Sequence, residues 1–126
     1  MDICFAIAFS TAVLWRVPGP LTLSWQHSVE LFRIEEDWRA GAEGLLLTEV
    51  RTGGLGAGVD VPADAQWVNG WLRSHPALPP QPQVALANSR YGRGYRACWA
   101  GQCAELGSLV GVVDRPLVMA PCDGGP

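Results

Sequence analysis

An alternating pattern of apolar and polar residues between Leu21 and Trp38 constrains the fold more than any other part of the chain. Every second residue of the first stretch is apolar as far as His27, and the residues between them are polar. A period of two is typical of a β-strand with one buried face, because successive side chains point to opposite sides. The same period continues to Trp38. We therefore predict two strands of one sheet, joined by a turn near Glu30-Leu31.

His27 and Glu36 interrupt the apolar face of these two strands. A two-residue turn places His27 opposite Ile34 and diagonal to Glu36, so the imidazole and the carboxylate are expected to be neighbours on a buried surface. Such a histidine is either a core residue whose ring nitrogen is satisfied by the carboxylate, or a general base that the carboxylate orients. In a small hydrolase of the second kind, the nucleophile is Ser28, which points to the opposite face of the strand. The pattern therefore favours a structural or pH-sensitive pair over a hydrolase that uses His27, Ser28 and an acidic residue.

Composition limits the class of protein. A chain of 126 residues suits a single domain over residues 1–126, and 48% apolar with 17% charged residues excludes a disordered chain. A net charge of -3 with nine basic residues argues against nucleic-acid binding. The 15 glycines and 10 prolines separate a series of short predicted strands. We predict an all-β fold, either a small antiparallel barrel or a sandwich of short strands.

Three segments are expected to behave differently from the central strands. The proline-rich residues 76–82 are predicted to form an extended internal connection, and residues 123–126 a loose C-terminus. The apolar run from Ile3 to Trp15 is shorter than the roughly 20 residues that span a bilayer. It also lacks the charge pattern of an export signal, so it is predicted to form strands. The absent signal points to the cytoplasm and leaves the periplasmic side open.

Four cysteines are candidates for two disulfides. If Ala100-Gly101 is a two-residue hairpin turn, Cys98 faces Cys103 at a distance that permits a bond. Cys4 and Cys122 are then the remaining two. Four unbonded thiols are the alternative, since no export signal indicates an oxidising compartment. A zinc site is not expected, because the cysteine spacing lacks a second pair of closely spaced ligands.

Other polar and aromatic residues add candidate binding positions. The glycine-rich residues 53–58 predict a flexible or bulged loop, because a phosphate-binding loop would need a helix N-terminus directly after it. Tryptophan is more frequent than a core of this size needs, and some of the indoles are expected to line a groove. No cofactor, metal or catalytic residue is expected. The candidate binding residues are Trp25, His27, Ser28, Glu30, Glu36, Trp38, Gly56 and Gly58.

Three strings carry a family resemblance: LSWQHSVE at 23–30, EEDW at 35–38 and GAG at 56–58. Together with Cys98, Cys103 and the closing Pro121-Cys122, they resemble the bacterial family catalogued as domain of unknown function 1850. Genes of that family often lie beside those of TRAP-type transporters with a TAXI-type solute receptor. The resemblance therefore implies a non-catalytic binding or accessory protein in solute uptake, whose partner is the transporter or its receptor.

Overall fold

The computed structural model describes residues 1–26, 32–54, 63–87 and 94–122. These residues form eleven β-strands and one short helix, so the all-β prediction is confirmed. The elements are β1 (Asp2–Ile7), β2 (Val13–Pro18), β3 (Leu21–Gln26), β4 (Arg33–Gly41), β5 (Gly44–Thr52), β6 (Gln66–Val68), β7 (Trp71–Ser74), β8 (Val84–Leu86), β9 (Arg96–Trp99), β10 (Gln102–Glu105), α1 (Leu106–Val110) and β11 (Leu117–Cys122).

The described strands lie in two antiparallel sheets. The small sheet has the order β2-β1-β11-β8, and the large sheet has the order β10-β9-β3-β4-β5-β7-β6. Two separate sheets correspond to the sandwich, the second of the two predicted architectures. The alternating strands β3 and β4 are the centre of the large sheet, with β9 beside β3 and β5 beside β4.

The hydrophobic core lies between the two sheets. Alternate residues of the central strands face it, among them Ile3 and Phe5 of β1 and Leu21 and Leu23 of β3, as the two-residue period predicts. Full burial of one large apolar side chain contributes about 1.5–3 kcal/mol relative to leaving it exposed. The large, fully buried side chains are Ile3, Phe5, Val17, Leu21, Leu23, Leu45, Leu106, Leu117 and Met119.

The pairing of β3 with β4 differs by two residues from the predicted register. Ile34 faces Trp25, and Glu36 faces Leu23. The prediction that Ile34 lies opposite His27 is therefore wrong. The connection lacks the glycine or asparagine that a two-residue hairpin prefers, so the short turn had no local support. A shift of two residues keeps the described side chains of β3 and β4 on their predicted faces, and the apolar surface is preserved.

The structure contains two disulfides, and they bond all four cysteines. Cys4 of β1 is joined to Cys122 of β11, with 5.9 Å between the Cα atoms. Cys98 of β9 is joined to Cys103 of β10, and these residues face each other directly across the turn at Ala100-Gly101. The first bond closes a loop with a sequence separation of 118 residues, and the second closes one of only 5. We therefore expect the first to contribute more to stability.

The proline-rich connection, residues 76–82, links the large sheet to the small sheet. It is fixed to β5 at one residue, Gln81. The backbones of Gln81 and Leu45 exchange hydrogen bonds of 2.7 and 2.8 Å. The adjacent Gly44 has a φ of 138°, and a Cβ atom there would lie 2.5 Å from the carbonyl oxygen of Gln81. Glycine is therefore required for the close approach of the connection to β5.

Candidate functional site

Three of the eight predicted binding residues, Trp25, Glu36 and Trp38, lie in the described part of the chain. All three are on the large sheet, on β3 and β4, and face its inner side. The other five lie outside the described residues. They are His27, Ser28, Glu30, Gly56 and Gly58.

Glu36 is a half-buried carboxyl group on the apolar face of the large sheet. It lies between Leu23 on β3 and Val50 on β5. The indole N–H of Trp38 donates a long hydrogen bond of 3.4 Å to Glu36 Oε1. Burial raises the pKa of Glu36, and this hydrogen bond opposes the rise only in part. Tyr95, just before β9, also has a raised pKa, first because it is buried and second because of the charge on Glu36.

Replacing Glu36 with glutamine is expected to stabilise the protein at neutral pH. The raised pKa means that ionised Glu36 is disfavoured in the folded state. The free-energy cost of ionising Glu36 in the folded protein is absent below the ordinary pKa of 4.5. This cost grows as the pH rises through the raised pKa. The gain should be about 1 kcal/mol at pH 7, the lower end of the cost of burying a poorly satisfied polar group.

Urea unfolding of Glu36→Gln and the wild type at pH 7 and pH 4 measures this difference, which should shrink at the lower pH. A lower stability of Glu36→Gln at pH 7 would contradict the expectation. It would show that a cation neutralises the carboxylate in the folded protein.

Trp25 has a different environment from Trp38. Trp38 is 5% exposed and belongs to the hydrophobic core. Trp25 is half-buried near the end of β3, and its ring centroid lies 5.4 Å from that of Tyr95 at an interplanar angle of 59°. This tilted contact fixes the indole while leaving part of it accessible. Of the predicted tryptophans, Trp25 is thus the one placed to touch a ligand.

On the opposite face of the large sheet, one row of charged or polar residues crosses all seven strands of that sheet. The row follows from the register, because residues that face each other on neighbouring strands project from the same face of the sheet. From β10 to β6 its members are Glu105, Arg96, Ser24, Glu35, Arg51, Arg73 and Gln66.

Arg51 is the centre of an ion-pair network on this polar face. Its Nη1 and Nη2 lie 2.7 and 2.8 Å from the two carboxylate oxygens of Asp37, and its Nε lies 3.0 Å from Glu35 Oε1. Glu49 Oε2 is 3.3 Å from Nη1. Glu49 Oε1 is also 2.9 Å from Arg73 Nε, at an angle that does not make a hydrogen bond. Two arginines are therefore matched by three carboxylates.

Two other arginines on the polar face, Arg33 and Arg96, are not paired with a carboxylate of the described residues. Arg33 Nη1 lies 3.1 Å from the hydroxyl oxygen of Ser24, to which it donates. Neither Arg33 nor Arg96 forms an ion pair with any described residue. Both line one cavity of about 190 Å³, which we name the sheet-end cavity. The described residues that line it are Trp25, Gln26, Arg33, Gly94, Arg96 and Glu105.

Two larger cavities lie elsewhere. In one of about 450 Å³, Glu49 pairs with Arg73, and the backbone N–H of His75 donates a hydrogen bond of 2.8 Å to the carboxylate of Asp64. The other, of about 670 Å³, covers the outer face of the small sheet, and no charged side chain of the described residues lines it. Neither contains a predicted binding residue. The sheet-end cavity is therefore the candidate site.

The sequence pattern identified Trp25 as a candidate binding residue. It did not identify the two arginines of this site, Arg33 and Arg96. The period of two places Arg33 on the polar face of its strand, but no sequence pattern relates it to Arg96. Their proximity depends on β9 pairing with β3, which brings Arg96 opposite Ser24. The pattern within each strand contains no signal for that long-range pairing.

Comparison with protein families gives one match. A family model described as "Domain of unknown function (DUF1850)" matches residues 21–106. This range includes all seven strands of the large sheet and every described residue of the sheet-end cavity. The comparisons with curated proteins and with solved structures found no match. Within the described ranges, no helix is long and apolar enough to cross a membrane.

Proposed function

This chain belongs to the DUF1850 family, and on that basis we propose that it is a non-catalytic binding domain, an accessory to solute uptake by TRAP-type transporters of the TAXI kind. Its partner in this proposal is the transporter or its solute receptor. The premise of an uptake role is the neighbourhood of the family's genes. The premise of a binding role is the site itself.

The sheet-end cavity is the observation that carries the binding role. Its described lining includes Trp25 and two arginines, Arg33 and Arg96, that form no ion pair with a described carboxylate. Aromatic and arginine side chains are the residues that most often dominate binding energy at interfaces. The described lining therefore offers side chains that are suited to the recognition of a partner.

The position of the family match also supports this proposal. The match covers the large sheet, whereas β1, β2 and β11 of the small sheet lie outside it. The part common to the family is therefore the part that holds the site. The rival hydrolase depends on His27 and Ser28, which lie outside the described residues, and nothing in the described part of the chain favours it.

The two disulfides support a location on the periplasmic side. Disulfides persist in oxidising compartments, which include the bacterial periplasm, and are rare in the reducing cytosol. A solute receptor of an uptake system meets its solute before transport. The proposed receptor partner and the two disulfides are therefore both compatible with a location in the periplasm.

Calorimetric titration of the protein with a TAXI-type solute receptor from the same organism tests the proposal. We expect saturable binding that weakens about tenfold or more in Trp25→Ala, because truncating a central aromatic residue at an interface costs about 2 kcal/mol. The matched control is Trp67→Ala, since Trp67 is 57% exposed on the edge strand β6 and far from the cavity in strand order. It should bind as the wild type does.

Melting curves of both variants verify that they fold, and Trp25→Phe replaces Trp25→Ala if the latter does not. Absence of binding by the wild type would contradict the proposal. So would labelling of the protein by a serine-directed fluorophosphonate that is lost in Ser28→Ala, since it would establish a catalytic serine.

A further inference from the structure

We propose that the bond between Cys98 and Cys103 is a thiol–disulfide exchange site. A dithiol protein with a Cys-x-x-Cys motif reduces it in the folded domain, while the bond between Cys4 and Cys122 stays intact. This inference goes beyond the proposed function, because it assigns a chemistry to a pair of residues that the binding role does not use.

The two disulfides differ in how easily a large reductant reaches them. Cys103 is exposed and Cys98 is half-buried, on the last two strands at one end of the large sheet. Cys4 is only 8% exposed and lies on β1, between β2 and β11 of the small sheet, and its partner Cys122 is half-buried. Exchange begins when a thiolate approaches one sulfur of the bond, so its rate depends on access. The thiolate of another protein therefore reaches Cys103 most easily.

The exposed disulfide lies on the polar face of the large sheet. Cys103 faces Cys98 on β9, and Cys98 in turn faces Thr22 on β3. Thr22 faces Asp37 of the ion-pair network. Residues that face each other project from the same side of a sheet, whereas Ala97, the neighbour of Cys98 in sequence, is fully buried in the core. A thiolate can thus approach the bond from the solvent side without opening the core.

The hairpin of β9 and β10 is held in place at both of its ends without the disulfide. At the turn, Ala100 and Gly101 have φ values of 48° and 78°, a conformation whose twist matches that of two paired strands. At the other end, Leu106 is 1% exposed, and its backbone N–H donates a hydrogen bond of 2.9 Å to the carbonyl oxygen of Tyr95. The two thiols therefore stay opposite each other after reduction, and the bond can form again.

The fold depends little on this bond. It joins residues with a sequence separation of 5, whereas the bond between Cys4 and Cys122 joins residues with a separation of 118. A disulfide stabilises a protein mainly by restricting the unfolded chain, and this effect grows with the length of the closed loop. The domain should therefore stay folded when Cys98 and Cys103 are reduced, which makes their reduction reversible.

The exchange conserves atoms and electrons in two steps. A thiolate of the dithiol protein attacks Cys103 Sγ, a mixed disulfide forms, and Cys98 leaves as a thiolate that takes up a proton. The second thiolate of the dithiol protein then attacks the sulfur of its own first cysteine in the mixed disulfide, and Cys103 leaves and is protonated. Two electrons pass to this chain, and the dithiol protein is oxidised to an internal disulfide.

Incubation of the folded protein with reduced thioredoxin, without denaturant, tests this inference. N-ethylmaleimide stops the reaction at timed intervals, and peptide mass spectrometry locates the alkylated cysteines. We expect Cys98 and Cys103 to be alkylated at least about tenfold faster than Cys4 and Cys122, because access limits the rate of exchange. All four cysteines should be alkylated when the same reaction is run in urea.

A thioredoxin variant that lacks its second cysteine identifies the sulfur that is attacked. It cannot complete the second step, so it should remain bonded to Cys103, with Cys98 free for alkylation. After reduction by intact thioredoxin, oxidised glutathione should restore the bond, and the indole N–H signals should stay dispersed throughout. The matched control, Cys98→Ala with Cys103→Ala, should take up no label without denaturant.

Equal rates of alkylation at the two disulfides would overturn the inference, as would the absence of alkylation before urea is added. A mixed disulfide through Cys98 would contradict the assigned direction of attack. Collapse of the indole signals on reduction of Cys98 and Cys103 alone would show that this bond holds the fold together and is not an exchange site. Receptor binding does not enter these measurements, so the exchange site and the accessory role are tested separately.

Discussion

Replacing both Cys4 and Cys122 with alanine is expected to lower the free energy of unfolding by about 5 kcal/mol in the chain-entropy model, because their bond closes nearly the whole chain. The separation of the two residues is 118 positions, so the unfolded chain gains much freedom when the bond is absent. Domains of this size are stable by about 5–15 kcal/mol, and the loss is therefore a large fraction of the total. Urea unfolding under non-reducing conditions measures it.

The second disulfide provides the matched control. Cys98→Ala with Cys103→Ala removes a bond of separation 5 and should cost only about 2 kcal/mol in the same model. Treatment of the wild type with a reductant breaks both bonds and should therefore lower the stability by more than either double variant does. The account of the first bond is contradicted if the two double variants lose equal stability.

Replacing Arg51 with methionine is expected to destabilise the protein by about 3 kcal/mol, the lower end of the range for removing one partner of a buried ion pair. The side chain of Arg51 is 12% exposed, and Asp37 is 26% exposed, which places the pair near this lower end. Methionine fills much of the same space, but it leaves three carboxylates close together without their main cation. Arg51→Lys should lose less, because it keeps the charge but not the forked hydrogen bonds to Asp37.

The loss of stability in Arg51→Met should depend on pH and should become smaller as the pH falls. Burial alone would raise the pKa of Asp37, but hydrogen bonds from Arg51 and Thr22 outweigh it and lower the pKa below its ordinary value of 3.8. The stability from Asp37 is therefore present above that value and disappears as the pH falls through the lowered pKa. The difference between the wild type and Arg51→Met should be widest near pH 7 and narrow toward pH 3.

Arg39→Met is the control for this prediction. Arg39 is exposed and forms no ion pair with the described residues, so its replacement should change stability by no more than about 0.5 kcal/mol. A loss for Arg51→Met that is the same at pH 7 and pH 3 would contradict the assigned role of Asp37. Chemical denaturation at both pH values distinguishes the outcomes.

Local patterns of the sequence were sufficient to predict much of the fold. The alternation between Leu21 and Trp38 predicted the two central strands, β3 and β4, and the face that each described side chain of these strands occupies. The Ala100-Gly101 turn correctly predicted that Cys98 faces Cys103. Each of these predictions depends on residues that are close together in the chain.

The candidate site was less predictable, because it depends on contacts between distant segments. Arg96 approaches Arg33 only because β9 adds to the edge of β3 opposite β4. The register error at β3 and β4 has a related cause. No turn residue in the sequence fixes how the two strands pair, and any shift by an even number of residues keeps the same side chains on the apolar face. The predicted neighbourhood of His27 and Glu36 concerns a residue outside the described part of the chain, and it remains a prediction.

The most direct test of the binding role is a titration of isotope-labelled protein with the TAXI-type receptor, followed by the six indole N–H signals. Trp25 reports on the sheet-end cavity, whereas Trp99 packs edge-to-face on Trp15 at a centroid distance of 5.0 Å and reports on the core. We predict a saturable shift or loss of the Trp25 signal with little change at Trp99. Complete absence of change at saturating receptor, or change confined to Trp67, would contradict binding at this site.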